Sequence, residues 1–157
     1  MRRVRRYWGR LGNFYNFFEN MNDNMKLKVI QKCFDKWNIQ KKIVDLISNK
    51  KTFHEREIWF IKIGENVGFE QNGKGEEFLR PVIVYKKFSA SVFLGIPLTK
   101  TIKEGKFYCS FEFQDKKSNA ILSQIRLFDS KRLKYKIGKM SVGDFKKVKE
   151  KLTELIQ

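Results

Sequence analysis

From Glu57 onward the chain changes its apolar period, and this constrains the fold more than any other feature. The segments 57–63, 80–85, 91–98, 106–113 and 120–128 are short, rich in β-branched and aromatic residues, and separated by turns of Gly, Lys and Ser. Runs of this kind read as strands. Five in close succession predict a small, strongly curved antiparallel sheet or barrel. In the last run Ile121, Ile125 and Leu127 share one face, while Gln124 and Arg126 fall on the other. The core takes the first set, which leaves the polar pair for a site.

Helical period flanks these strands. Within 26–48, Leu27, Ile30, Phe34 and Trp37 recur at three- and four-residue spacing, and Ile43, Val44 and Ile47 resume it. This predicts an amphipathic helix, broken near Asn38. The polar run Asn49-Lys50-Lys51-Thr52 then reads as a linker, dividing the chain into an extension, 1–52, and a domain, 53–157. At the other end Ser141 precedes Asp144 by three positions, the pattern of a capping box. Behind it Val142, Phe145, Val148, Leu152, Leu155 and Ile156 mark one face of a closing helix. The class is therefore mainly β with helices, α+β.

With 157 residues and 41% hydrophobic content the chain can bury one core. Its 34 Lys and Arg against 17 Asp and Glu give a net charge of +17, a field that draws polyanions. Nucleic acid is the first partner to consider; a lysine-rich genomic background would instead scatter the charge without making a site. Aromatic content of 15% argues against a disordered basic tail. Cys33 and Cys109 have no CxxC spacing and His54 is the single histidine, so no zinc site and no cofactor are expected. Two free thiols fit a reducing cytoplasm. No apolar run reaches the roughly 20 residues that span a bilayer, so no membrane role is expected.

Residues 1–25 join an arginine cluster to Trp8, Phe14, Tyr15, Phe17 and Phe18 but lack the apolar core and cleavage site of a signal peptide. Such a mixture grips phosphates and stacks bases, or lies on an anionic membrane surface; alternatively, Met21 or Met25 is the true start.

One histidine with no serine or cysteine placed beside it argues against a hydrolase triad. The glycine-rich stretch 64–75 is not a Walker loop, because Gly73-Lys74 is followed by Gly75-Glu76 instead of a hydroxyl residue opening a helix. It reads as a long hairpin loop. Glu76-Glu77 and the pair Glu112 and Asp115 read as solvated charges. A ribonuclease of this composition would lean on arginine and hydroxyl groups, which RNA permits because its own 2′-OH can be the nucleophile.

Four motifs stand in order: Val67-Gly68-Phe69-Glu70-Gln71-Asn72-Gly73, then Arg80-Pro81-Val82-Ile83-Val84, then Ile96-Pro97-Leu98-Thr99, then Gln124-Ile125-Arg126-Leu127-Phe128-Asp129-Ser130-Lys131-Arg132-Leu133. Across about residues 57 to 157 this arrangement resembles the MazF/PemK family of toxin endoribonucleases. The resemblance implies an SH3-like barrel with a C-terminal helix, a homodimer with the RNA site at its interface, and a cognate antitoxin. It also implies metal-independent cleavage of single-stranded RNA, leaving a 2′,3′-cyclic phosphate and a 5′-OH.

By the same resemblance Arg80 and Thr99 are the catalytic pair. Arg80 takes part in proton transfer and stabilises the pentavalent phosphate, and the Thr99 hydroxyl donates to a non-bridging oxygen. Glu70, Gln71, Lys74, Gln124 and Arg126 line the RNA groove, with Asp129 and Arg132 beside them. The stretch from Gln71 to Arg80 is longer than the family's usual loop, which places Lys74, Glu76 and Glu77 over the groove.

Taken alone, the residues leave other readings open. Arg80 reads as a surface arginine before a strand-initiating proline, and Thr99 as a strand-end threonine. Asp129 either pairs with Arg132 or caps the following turn, and Gln124 and Arg126 form a structural network. Two other functions compete with the ribonuclease: a non-catalytic nucleic-acid-binding module, and a gyrase poison like the CcdB-type relatives of the fold. The ordered motifs favour the ribonuclease.

Overall fold

The computed structural model describes residues 32–48 and 51–157. The arginine and aromatic cluster of 1–25, and the helical positions Leu27 and Ile30, lie outside the described residues. Residues 34–157 form one compact unit. Helix α1 spans Phe34–Asp45, and the strands are β1 Glu57–Lys62, β2 Leu79–Lys87, β3 Val92–Thr99, β4 Tyr108–Phe113, β5 Lys116–Ile121, β6 Arg126–Asp129 and β7 Leu133–Lys139. Helix α2, Val142–Ile156, closes the chain.

The strands join in one antiparallel sheet of order β4-β5-β3-β2-β1-β7, with β6 also paired to β3. Strand β3 is the pivot. One side of it pairs with β2, while its other side pairs with β6 over Val92 to Gly95 and with β5 at Leu98 and Thr99. The backbones and rings close tightly at this fork, since a Cβ on Gly95 would meet Val82 at 2.7 Å and Phe128 at 2.9 Å. Only glycine fits there.

The central strands are buried on both faces, which is why they read as near-continuous apolar runs. Val82 and Val84 enter one core with Phe53, Trp59, Ile61, Phe93 and Phe128. Ile83, between them, enters a second core with Ile58, Ile96, Leu98, Phe111 and Leu122. Phe145, Val148 and Leu152 of α2 cover this second core. The Ser141 hydroxyl caps that helix, accepting from the Asp144 N–H at 3.0 Å.

The expected α+β class and curved antiparallel sheet are present, with two corrections in detail. The described residues form seven strands, and 120–128 is not one of them: β5 ends at Ile121, a 3-10 turn occupies Leu122–Gln124, and β6 begins at Arg126. Leu127 consequently faces solvent instead of the core. The break near Asn38 is also absent, since α1 runs unbroken from Phe34 to Asp45, with Trp37 and Val44 as its buried residues. Asn38 is solvent-exposed, so a mid-helix asparagine costs there only the few tenths of a kcal/mol of its propensity, about 0.5 kcal/mol.

Candidate nucleic-acid interface

The Arg80-Pro81 dipeptide controls the geometry at the end of β2. Proline has no N–H to give to a ladder, and the register between β2 and β3 ends with Val82 opposite Pro97. One residue beyond Pro97, the Leu98 carbonyl accepts from Arg80 Nη1 at 3.2 Å. Arg80 Nε donates to the Asn72 carbonyl at 2.5 Å. The guanidinium is thus fixed between the 64–78 loop and the end of β3, on the carbonyl of the residue before Thr99. Burial pulls its pKa below the usual arginine value, but a guanidinium stays cationic at neutral pH.

Thr99 is half-buried at the last position of β3, and its Oγ1 accepts the Thr101 N–H at 3.2 Å. A hydroxyl accepting one bond still has its own proton to donate. Thr99 also forms part of the wall of a mostly apolar cleft of about 220 Å³, together with Pro81, Leu98, Phe60, Phe113 and Ile137.

A side-chain network staples the loop after β1 to the barrel. The Asn66 N–H donates to Asn72 Oδ1 at 2.7 Å, and Asn66 Nδ2 donates to the Gln71 carbonyl at 2.8 Å. Gly73 donates its N–H to the Gly64 carbonyl at 2.7 Å. A Cβ on Gly73 would sit 1.9 Å from the Phe78 carbonyl oxygen, so this glycine is required by close backbone approach. Gln124 uses both ends of its amide: Oε1 accepts from the Gln71 N–H at 3.2 Å and Nε2 donates to the Phe69 carbonyl at 3.3 Å. Arg126 Nη1 donates to Asn66 Oδ1 at 3.4 Å, and its guanidinium lies 4.9 Å from the centre of the Phe128 ring.

The network therefore runs from Arg80 through Asn72 and Asn66 to Arg126, joining three of the four sequence motifs. Burial lowers the pKa of Arg126, with the Glu70 carboxylate opposing the shift. Burial also lowers that of Arg132, and the positive charge of Arg126 lowers it further against the pull of Asp129. The positive charges of the two guanidinium groups thus act on one another. Arg132 is held by the Lys62 carbonyl at 2.9 Å and by the ring of Trp37 at 5.5 Å.

The remaining expected site residues are more peripheral. The Asp129 carboxylate accepts the Lys131 N–H at 2.8 Å, capping the turn Ser130–Arg132. Glu70 is solvent-exposed, its N–H bonded to the Val67 carbonyl at 3.1 Å. Lys74 is exposed in a tight hairpin with Leu79, and Glu77 of the same hairpin is held by Lys134 on β7 at 2.6 Å. Sequence reasoning missed Asn66, Asn72 and Trp37, whose roles depend on contacts made in the fold. Among the described residues no cluster of His, Cys, Asp or Glu is placed to hold a metal ion, and no helix is long and apolar enough to cross a membrane.

Residues 54–156 match the family model of the PemK-like, MazF-like toxin of type II toxin-antitoxin systems. Among solved structures, MazF from Deinococcus radiodurans superposes with a TM-score of 0.56 at 17% identity, covering 68% of this chain and 97% of that one. An endoribonuclease in complex with its cognate antitoxin, from a mycobacterial species, gives 0.53 at 11% identity, covering 67% of this chain and 95% of that one. A further mycobacterial endoribonuclease gives 0.52 at 10%, covering 68% and 93%. At these identities the likeness is one of fold. No curated protein matches the sequence.

Proposed function

Because this chain belongs to the PemK-like, MazF-like family of type II toxin-antitoxin toxins, we propose that it is a sequence-selective endoribonuclease that cuts single-stranded RNA without a metal ion. The observation that carries this reading is the Arg80 guanidinium fixed on the Leu98 carbonyl, one residue before Thr99 in sequence, and tied through Asn72 and Asn66 to Arg126.

The RNA supplies the nucleophile. Its 2′-OH attacks the adjacent phosphorus, the P–O5′ bond breaks, and the products are a 2′,3′-cyclic phosphate and a 5′-OH. Negative charge builds on the phosphoryl oxygens as the pentavalent arrangement forms. Arg80, oriented by the Asn72 and Leu98 carbonyls, has N–H groups beyond those two bonds to place on that charge. The Thr99 hydroxyl, already accepting from Thr101, donates a hydrogen bond to a non-bridging oxygen. A proton must leave the 2′-OH and one must reach the 5′ oxygen. The burial that lowers the Arg80 pKa favours its part in this transfer, while its electrostatic role is the larger one.

Gln71, Gln124, Arg126 and Arg132 line the groove in this reading, with Glu70, Lys74 and Asp129 at its margin. The active form is a homodimer that places the groove at the subunit interface, and it acts in the cytoplasm. The mycobacterial neighbour solved with its cognate antitoxin supports an antitoxin as the controlling partner here as well. Residues 1–52 are an extension to the toxin domain of 53–157.

The deciding experiment is digestion of a mixed-sequence RNA in EDTA by the wild type and by Arg80→Ala. Discrete cuts with 2′,3′-cyclic phosphate ends, lost in the variant, are expected. Intact RNA after incubation with folded, antitoxin-free wild type would overturn the reading.

A further inference from the structure

The turn at residues 67–70 holds one aromatic side chain out in water. Gly68, at φ +57°, makes the turn, and the Glu70 N–H closes it on the Val67 carbonyl at 3.1 Å. Gln124 then fixes the backbone on both sides of Glu70, through the Phe69 carbonyl and the Gln71 N–H. On this tethered backbone the Phe69 side chain is 100% exposed. Phe53, Phe93 and Phe128, by contrast, are fully buried in the barrel. A lone exposed apolar residue needs no explanation in general, but here six side-chain and backbone bonds hold the segment that displays it.

The surroundings of the ring identify what it would meet. The loop that displays it also meets a guanidinium: Arg126 Nη1 donates to Asn66 Oδ1 at 3.4 Å, and the Glu70 carboxylate next to Phe69 in sequence acts on Arg126. Apart from Val67, its immediate chain neighbours Gly68, Glu70 and Gln71 offer no apolar area of the kind a protein partner would bury. An exposed aromatic face with Val67 as its exposed apolar neighbour in the turn, on a loop bonded to a guanidinium, suits a nucleobase, which brings its own flat π-face and an adjoining phosphate.

We infer that Phe69 is a base-stacking platform, taking the face of one unstacked base of single-stranded RNA while Arg126 receives the neighbouring phosphate. This deepens the proposed function and rests on the same groove being the RNA site. The contact is sequence-tolerant by itself. It sets the register of the strand, and thus which phosphodiester lies at Arg80.

The test uses the full chain carrying Arg80→Ala, so that RNA is not consumed during binding. A labelled, unstructured RNA oligonucleotide of mixed sequence is titrated in EDTA at fixed salt. Phe69→Ala is expected to weaken its binding about 5- to 100-fold, with no loss of affinity for a blunt RNA duplex, whose bases are already stacked. Phe69→Trp is expected to keep the affinity and to gain tryptophan fluorescence that the oligonucleotide quenches. Unchanged affinity in Phe69→Ala, or a Phe69→Trp signal indifferent to RNA, overturns the assignment.

Wild-type cleavage separates the two readings. If wild type cuts RNA and Phe69→Ala binds normally, the platform falls and the ribonuclease stands. If wild type cuts nothing while Phe69→Ala still weakens single-strand binding, the platform stands on a non-catalytic binder. Loss of binding to a protein partner, with RNA affinity intact, counts against the platform.

Discussion

The indole of Trp37 occupies the space that any side chain on Gly64 would need: a Cβ built there would lie 2.1 Å from the ring. Gly64, at φ +96°, is the first residue after Ile63 and the entry to the candidate RNA-binding loop. Trp37 also packs on the ring of Phe78, at 5.5 Å, and the Phe78 carbonyl accepts from both Ile63 and Gly64. Both stems of the loop therefore rest on one side chain of α1, which lies outside the residues matched to the family model. Lys62 adds a bond to Gln40 at 2.7 Å.

Trp37→Ala is accordingly expected to destabilise the chain by about 3 kcal/mol, the low end for a large aromatic removed from a packed site. Gly64→Ala combines a left-handed φ with a collision and should cost about as much. Urea unfolding of the two variants checks both figures. A loss below about 1 kcal/mol in Trp37→Ala would mean that α1 does not brace the loop.

Arg80 and Thr99 should separate chemistry from binding. In the proposed mechanism Arg80→Ala removes a donor to the developing phosphoryl charge, and a fall in the cleavage rate of about 100-fold or more is expected. RNA affinity should change much less, because Arg126 and Arg132 remain. Arg80→Lys should recover little, since a lysine cannot span the Asn72 and Leu98 carbonyls in the same planar geometry. Thr99→Val keeps the shape of a half-buried β-branched residue and removes the hydroxyl, so a smaller rate loss with normal folding is expected. Single-turnover cleavage alongside equilibrium binding distinguishes these outcomes. Parallel losses of rate and affinity in Arg80→Ala would assign that residue to binding alone.

Why the central strands were legible and others were not follows from where each is buried. Segments 80–85 and 91–98 became β2 and β3, whose side chains fill both cores and therefore leave a dense apolar signature. β5 begins with Lys116-Lys117-Ser118, and β7 alternates lysine with apolar residues at one end of the sheet, so neither carries that signature. The stretch 120–128 misled because its apolar parity continues through a turn: Ile121 and Leu122 are both buried, whereas Leu127 is not. The candidate site was legible as motifs, since Arg80, Thr99 and Gln124 all sit in them. The bonds joining those motifs were not, because Asn66, Asn72 and the Leu98 carbonyl become partners only when the loop and β3 come together.

Gln124 offers a test of how the loop is held. Its amide bonds the loop backbone at two points, and nothing about Gln124→Leu changes the length of the side chain greatly. The variant should fold with stability within about 1 kcal/mol of wild type, since these are two partly exposed neutral bonds. Amide exchange at Gln71 should nevertheless speed up, because its N–H loses its acceptor. RNA affinity should fall in step if the loop belongs to the groove. Unchanged exchange at Gln71 would show that Asn66 and Asn72 hold the loop without help.

Glu57 sets an acid limit on stability. Its carboxylate is buried at the start of β1, where burial by itself would raise the pKa. Hydrogen bonds from Lys136 Nζ at 2.8 Å, Trp59 Nε1 at 2.9 Å and the His54 N–H at 3.0 Å outweigh that, and the net shift is downward. A carboxyl whose pKa is lower folded than unfolded binds fewer protons in the native state, so its contribution is complete above the ordinary carboxylate range and disappears as pH falls through the folded value. Glu57→Gln should therefore cost about 2 kcal/mol near neutral pH. The gap between variant and wild type should then close on acidification below the usual range of a glutamate. Urea denaturation at a series of pH values measures this directly. A gap that stays constant from neutral to strongly acidic pH would show that the hydrogen bonds hold a neutral carboxyl equally well, and that the charge of Lys136 contributes nothing to the fold.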